Sequence, residues 1–367
     1  MKILILAQTP PPYHGQSVMQ RYLVDAKWNW CSKKFIRLNY SNRPENVGQF
    51  SFIKIVKLFI IVLKLWVERL KGKIDILFYP PTSPNRVPFY RDVFTLILTR
   101  WCAKKTVFHF HAGGFDVLFN KLNGFEKPIA KKTYRKPDAA IVLSEELQDE
   151  IEWINPKRIY IIPNGTRDHY LEDLGNAKKL SEIEILSVGL LSEAKGIIAS
   201  LEAAALLKER GNIFKWTFLG DWQSWEFKNK VEERILTYGL DNYVIFLGSI
   251  HGEEKWKYYR SADIFCLSSY ETEAMPLVIL EAMMMSLPIV TTNWRAIPEL
   301  IDDGINGLIV PVKKPKSFAE AIEKLILSRD LRLRLGNKAR EKYLKKFTIE
   351  KHLLKMESVF KEIAETN

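Results

Sequence analysis

Cysteine is scarce. The 367 residues hold three, Cys31, Cys102 and Cys266, far apart in the chain. Without a Cys-x-x-Cys pair or a Cys/His cluster, neither a disulfide framework nor a zinc site is favoured, and a reducing compartment is expected. Long hydrophobic runs are also missing. In the most apolar stretch, Phe52 to Leu70, the longest run without a charge is Leu58 to Leu63, too short to span a bilayer. The N-terminus, Met1 to Ala7, is too short for a signal-peptide core and runs into Gln8 and three prolines, so it reads as a first strand. Internal repeats and low-complexity tracts are absent, which disfavours solenoids and disordered linkers.

What is present is an ordinary globular composition, 47% hydrophobic and 27% charged, at a length that suggests two domains. The net charge of +12 is unevenly spread. Residues 1–168 hold 27 Lys and Arg against 14 Asp and Glu, and the remainder holds 28 against 29. A positive field on the first half attracts an anionic partner, such as a membrane surface, lipid phosphate or nucleic acid. A solubility bias without a partner gives the same count. No nucleic-acid module is recognisable, so nucleic acid is not expected.

Apolar runs alternate with helical patterns throughout. The first half has strand-like runs at Lys2–Ala7, Phe35–Leu38, Ile74–Tyr79, Thr106–Phe110, Ala139–Leu143 and Arg158–Ile162. Helical patterns lie between them, among them Gln16–Cys31, Val87–Trp101 and Glu145–Ile154. After a polar interval, Asp168 to Ser181, the alternation restarts with runs at Ile183–Val188, Lys215–Leu219, Tyr243–Leu247, Asp263–Leu267, Pro288–Thr291 and Leu308–Val310. Such alternation predicts an α/β fold of two doubly wound, Rossmann-like parallel-sheet domains, 1–168 and 181–347. Ligands are then expected beyond the carboxyl ends of the strands, in a cleft between facing domains. The tail, 348–367, reads as a helix that crosses back onto the first domain. Phe52–Leu70 is apolar around most of a helical wheel, with Lys54, Lys57, Lys64, Glu68 and Lys71 on one side. It reads either as a helix wedged inside the domain or as a monotopic helix dipping into a lipid interface.

The most informative stretch is Ser268 to Met283. A strand-like run ends in small polar residues, and an apolar helix follows, with Glu273 and Glu281 bracketing the junction. Were both helical, they would project about 80° apart and about 12 Å along the axis. Pro276 suits a first helical turn. Backbone N–H groups over Ala274, Met275, Pro276 and Leu277 would attract an anion. Hydroxyls at both ends of a ligand with phosphate in its middle suit two such carboxylates, and a nucleotide-sugar is a ligand of that kind.

Four blocks then carry a family resemblance. Ser187-Val188-Gly189-Leu190-Leu191-Ser192-Glu193-Ala194-Lys195-Gly196, Val244-Ile245-Phe246-Leu247-Gly248, the Glu-x7-Glu block with Glu281-Ala282-Met283, and Ile297-Pro298-Glu299-Leu300-Ile301 through Asn306-Gly307-Leu308-Ile309-Val310 stand in order over 183–310. Together they resemble the retaining glycosyltransferases of family 4, which adopt the GT-B arrangement of two Rossmann-like domains. The first half resembles the family more sparsely, at Ile161-Ile162-Pro163-Asn164-Gly165, at His111 and at the loop around Gly15.

The resemblance implies a hexosyltransferase that moves a sugar from a nucleoside diphosphate sugar to a glycan or polyprenyl-linked acceptor. It implies no metal and no other cofactor. Lys195 would neutralise the departing diphosphate, Glu281 would hold the ribose hydroxyls, and Glu273 a donor-sugar hydroxyl. Gly15 would let backbone approach the diphosphate, and His111 would contact the sugar near its reacting carbon. Two departures stand out. Where the family has a second phosphate cation, this chain has Leu190, with Arg295 and Arg167 as candidate substitutes. Where the family often has two adjacent glycines, this chain has His14 before Gly15. His109 and His111 share a strand face, but no third metal ligand accompanies them. Asn164-Gly165-Thr166 also spells a glycosylation sequon. A cytoplasmic enzyme of cell-surface polysaccharide synthesis, peripheral on the inner membrane face, is the expectation. A catalytically silent nucleotide-sugar-binding partner and a sugar phosphorylase of the same fold are the alternatives.

Overall fold

The computed structural model describes residues 1–38, 52–81, 84–170, 182–271 and 273–366, with backbone alone at 52–55. The chain divides into two compact units, Met1–Gly165 with Ile349–Asn367, and Thr166–Thr348.

In the first unit six parallel strands run in the order β2-β1-β3-β4-β5-β6. They are β1 (Lys2–Ala7), β2 (Ser32–Arg37), β3 (Ile74–Tyr79), β4 (Ala103–His109), β5 (Ala139–Val142) and β6 (Ile159–Ile161). The central strands are legible as continuous apolar runs because helices cover both of their faces. Every residue of β1 from Ile3 to Ala7 is buried, as is all of β5. The helices between strands are α1 (Gly15–Asp25), α2 (Phe52–Leu70), α3 (Arg86–Thr99), α4 (Phe115–Lys121) and α5 (Glu126–Tyr134).

The second unit repeats the plan, in the order β12-β11-β10-β7-β8-β9. Its strands are β7 (Ile183–Val188), β8 (Phe214–Leu219), β9 (Val244–Phe246), β10 (Ile264–Leu267), β11 (Ile289–Thr292) and β12 (Leu308–Val310). Its helices are α6 (Ile197–Glu209), α7 (Trp225–Tyr238), α8 (Glu253–Ser261), α9 (Leu277–Met284), α10 (Ile297–Leu300), α11 (Pro315–Leu327) and α12 (Arg329–Lys346). The last helix, α13 (Ile349–Glu365), belongs to the first unit. It adds Met356, Val359, Phe360 and Ile363 to the core formed by Ile3, Ile5, Phe78 and Val107.

Neighbours on β3 show which helices cover which face. Phe78 packs on Phe360 of α13, with ring centres 5.6 Å apart. Next to it, the Tyr79 hydroxyl donates to Asp92 of α3 at 2.7 Å. Alternation along the strand therefore places α13 on one face and α3 on the other. α2 joins α3, with the Trp66 indole N–H donating to the Leu98 carbonyl at 2.9 Å. Its inner side is Leu58, Ile61, Val62 and Leu65. No helix among the described residues is long and apolar enough to cross a membrane.

Two helical expectations need correction. The pattern over Gln16–Cys31 stops at Asp25, where the Ala26 amide bonds back to the Tyr22 carbonyl at 3.0 Å. Beyond it Trp28 leaves the helical course to pack on Phe360, 5.2 Å between ring centres, so tertiary burial overrides the local period. Glu145–Ile154 is no α-helix either; only Asp149–Ile154 coils, as a 3-10 helix closed by Asn155 at φ 50°. Crowded carboxylates at Glu145, Glu146, Asp149, Glu150 and Glu152 disfavour an α-helix. One of them, Glu150, instead accepts the Gly114 N–H at 2.5 Å.

Candidate active site

A doubly wound sheet has one place where the strand order reverses, and loops diverge there. In the second unit that place lies between the paired neighbours β7 and β10. The loop after β7 carries Lys195, and the loop after β10 carries Glu273. The two loops are stitched together. The Ser268 hydroxyl donates to the Gly196 carbonyl at 2.9 Å and lies 2.9 Å from the Ser200 hydroxyl, while the Tyr270 N–H donates to the Ala194 carbonyl at 3.0 Å. Gly196 is required by this stitching. It sits at φ +74°, and a Cβ there would come within 2.2 Å of the Ser268 carbonyl oxygen. Both the left-handed backbone and the close approach exclude a side chain.

The stitching delivers Lys195 and Glu273, far apart in sequence, into direct contact as an ion pair. The Glu273 carboxylate also lies 3.2 Å from the Ser269 hydroxyl. Glu273 is 7% exposed. Burial lowers the Lys195 pKa to about 8, because removing an ammonium from water favours its neutral form. The adjoining carboxylate opposes that loss, and the lysine remains mainly charged at neutral pH.

Glu281 occupies a second polar niche, on α9. Its Oε1 accepts from Lys255 at 2.6 Å and its Oε2 from the Tyr259 hydroxyl at 2.8 Å. Burial, and then the neighbouring carboxylate, push the Tyr259 pKa well above its usual value. Tyr259 is therefore a fixed neutral donor. The Lys255 ammonium sits 4.2 Å over the Trp256 ring, and Trp256 stacks on His169 at 4.4 Å. Each carboxylate oxygen retains a lone pair for a hydroxyl of a ligand. Lys255, Tyr259 and Ser269 were not found by sequence reasoning. The only signal for the first two is their i, i+4 spacing on α8, which gives them a common face but names no partner.

The Ser268–Glu281 stretch also differs from expectation. α9 starts at Leu277, with Pro276 as the residue before it at φ −67°, ψ 121°. Pro276 lies outside the first turn and has no N–H to offer. Glu273 lies in the loop, so the helical separation drawn between the two acids does not apply. Ala274 and Met275 are buried in that loop. Leu190 is 47% exposed on the turn after β7. Arg295 lies beside the Trp294 ring at 5.8 Å, and Arg167 is exposed at the start of this unit. Another cation escaped the sequence reading: the Lys313 ammonium lies 4.3 Å over the Tyr270 ring, in the same loop as Glu273.

The first unit holds the remaining predicted residues. Gly15 opens α1 after a loop pinned by Arg37, whose Nη2 donates to the carbonyls of Thr9, Pro10 and Pro11 at 2.8–2.9 Å. His14, in place of a glycine, caps the helix: its Nδ1 accepts the Ser17 N–H at 3.3 Å, and its own N–H donates to the Ser17 hydroxyl at 3.1 Å. His111 follows β4, with its Nε2 2.6 Å from the Gln20 side-chain amide nitrogen. Burial, and after it the charges of His352 and His14, push the His111 pKa down to about 3. The imidazole is accordingly neutral at physiological pH. His109 is buried behind it, with ring centres 3.9 Å apart. Among the described residues no group of three His, Cys, Asp or Glu is placed to hold a metal ion. Asn164 is 4% exposed, which closes the sequon to glycosylation.

Known proteins match this chain on both sides of Asp168. Residues 39–169 match the family described as Glycosyltransferase Family 4, and residues 173–342 match glycosyl transferases group 1. An uncharacterised glycosyltransferase of Methanocaldococcus jannaschii is 26% identical over 74% of this chain and 71% of its own length. The amylovoran biosynthesis glycosyltransferase AmsK of Erwinia amylovora is 31% identical over 39% of this chain, and the match spans 36% of that relative. Among solved structures, HepE of Anabaena superposes with a TM-score of 0.75 at 16% identity, covering 99% of this chain and 100% of its own. With the two parallel sheets and the motif order, these matches make the chain a glycosyltransferase of the group 1, family 4 kind, with the GT-B fold.

Proposed function

We propose that the protein transfers a hexose from a nucleoside diphosphate sugar to a glycan or polyprenyl-linked acceptor, with retention of anomeric configuration. The observation that carries this reading is the Lys195–Glu273 pair at the reversal point between β7 and β10, with Glu281 on the helix that follows. Support comes from similar proteins. The Anabaena structure holds UDP, and the Erwinia relative is named for amylovoran biosynthesis.

In this reading Lys195 turns from Glu273 to the donor diphosphate and neutralises charge as the bond between anomeric carbon and phosphate oxygen breaks. Glu273, released, accepts hydrogen bonds from a sugar hydroxyl. Glu281 keeps Tyr259 and takes the ribose diol. Backbone N–H groups of Gly15, Ala274, Met275 and Leu277 meet the diphosphate or sugar. The acceptor oxygen bonds to the same face of the anomeric carbon, and its proton passes to the departing diphosphate. His111, neutral, serves as a hydrogen-bonding partner of the sugar. The first unit takes the acceptor, and its basic, apolar surface rests on the inner, anionic face of the cell membrane in the cytoplasm.

A screen of UDP-, GDP-, ADP- and dTDP-sugars for thermal stabilisation and for release of nucleoside diphosphate tests this. One donor class should stabilise the protein and be slowly hydrolysed without acceptor. Stabilisation without turnover even with lipid-linked acceptors would favour a silent binding partner, and a requirement for inorganic phosphate a phosphorylase.

The Lys195 pKa adds a pH prediction. Its charge is nearly complete below pH 7, half lost near pH 8 and largely gone by pH 9, so donor affinity should be flat below pH 7 and fall by up to about tenfold per pH unit above 8. Titration calorimetry from pH 6 to 10 reads this. Lys195→Arg, always charged, should abolish the fall.

A further inference from the structure

The first unit has a surface that donor chemistry does not use. Opposite its buried side, α2 carries a second apolar stripe at three- and four-residue spacing: Val56, Phe59, Ile60, Leu63, Val67 and Leu70, all exposed. At 100° per residue these span an arc of roughly 100°. Lys57, Lys64 and Lys71 stand on the neighbouring flank. The stripe continues sideways through aromatic contacts, Phe59 to Phe94 at 4.9 Å and Trp66 to Trp101 at 6.4 Å between ring centres. Trp101 is 65% exposed.

Trp101 also forms one wall of a cavity of about 350 Å³, whose other walls include Ile97, Arg100, Lys104, Lys132 and Asp138. The charges in it do not cancel. Asp138, which accepts from the Thr106 N–H at 2.8 Å and from Lys157 at 2.7 Å, is the one carboxylate in the lining against the cations Arg100, Lys104 and Lys132. Arg100 is anchored through Nη1 to the Thr133 carbonyl at 3.0 Å, which aligns its guanidinium in the wall. Lys104 pairs with Asp75 at 2.7 Å, at the outer rim. Lys132 is exposed and makes no ion pair among the described residues. An indole beside a basic hollow, at the border of an apolar stripe, is the arrangement of a lipid–water interface. Aromatic rings sit there at the headgroup level, and long cationic side chains reach for phosphate.

We propose that this cavity binds the phosphate of an anionic phospholipid headgroup, while the α2 stripe and Trp101 enter the acyl boundary beside it. The proposal rests on the membrane-facing reading of the first unit but not on the donor site. It distinguishes a defined headgroup site from a diffuse basic surface, which would respond equally to any lysine.

Flotation of the full chain with vesicles tests it, using phosphatidylcholine with and without phosphatidylglycerol. The variants are Lys132→Glu in the cavity, Lys27→Glu as an exposed control at the end of α1, and Phe59→Ser with Leu63→Ser in the stripe. Circular dichroism melts confirm folding of each. Wild type should float with phosphatidylglycerol vesicles. Lys132→Glu should lower that partitioning about tenfold or more, Lys27→Glu at most a few-fold, and the stripe variant should lose binding. Equal effects of Lys132→Glu and Lys27→Glu would overturn the headgroup site while leaving membrane association standing. No flotation of wild type, or full binding by the stripe variant, would overturn the membrane reading as well; donor hydrolysis in the same preparations stays independent of either result.

Discussion

Lys195→Ala lowers turnover about 10²–10³-fold, the loss typical of removing one preorganised donor from a site of developing negative charge. The expectation is this large because of what surrounds the lysine. It is held between two loops that leave no room for a Cβ at the following glycine. Leu190 supplies no second cation at the turn after β7. A neutral side chain cannot replace charge neutralisation of a diphosphate. The effect should lie mainly in kcat, since charge on the leaving diphosphate grows as the glycosidic bond breaks. Steady-state kinetics with the donor found in the screen measure it. The thermal midpoint should fall as well, because the variant leaves the buried Glu273 carboxylate without its partner, so the kinetics are read well below the variant's own transition. A loss under tenfold would move the phosphate cation elsewhere, with Lys313 the first alternative.

Glu273→Gln should separate binding from turnover. In the free protein the carboxylate occupies Lys195 and would repel an arriving diphosphate. Its neutral isostere frees the lysine and removes that repulsion. Free nucleoside diphosphate should therefore bind at least as tightly as to wild type. Transfer should nonetheless fall about 10²-fold, because a hydrogen bond from the sugar to a charged acceptor is worth about 1.5–3 kcal/mol. Parallel calorimetry and kinetics read the two effects. Equal losses in both would mean that Glu273 binds the nucleotide rather than the sugar, and unchanged transfer would exclude it from the site.

The fold was largely readable because its central strands are buried on both faces and leave continuous apolar runs, from Ile3–Ala7 to Ile289–Thr292. Where tertiary packing competes with local period, reading failed. Trp28 extends the helical pattern on paper, yet its ring is worth more against Phe360 than in another helical turn. The charged 145–152 segment mimics an amphipathic helix while its carboxylates repel one another.

The site was readable by halves. Lys195, Glu273 and Glu281 stand in motifs with fixed spacing to strand ends and glycines. Their pairing does not, because Lys195 and Glu273 meet only when neighbouring strands β7 and β10 align. Lys255 and Tyr259 were invisible for the same reason. They reach Glu281 from α8, and nothing within α8 marks them as its partners. His111 was found by resemblance alone; its neutral state follows from burial, which a sequence does not report.

The central claim is that the reversal point of the second sheet is the donor site. Its most direct test is calorimetric titration of the nucleoside diphosphate found in the screen, on wild type and Glu281→Gln at pH 7. Gln keeps the shape of the side chain but loses the charge that a ribose diol would meet. The account predicts one site per chain in wild type and an affinity at least about tenfold weaker in a folded Glu281→Gln. Equal affinity in both proteins would contradict it.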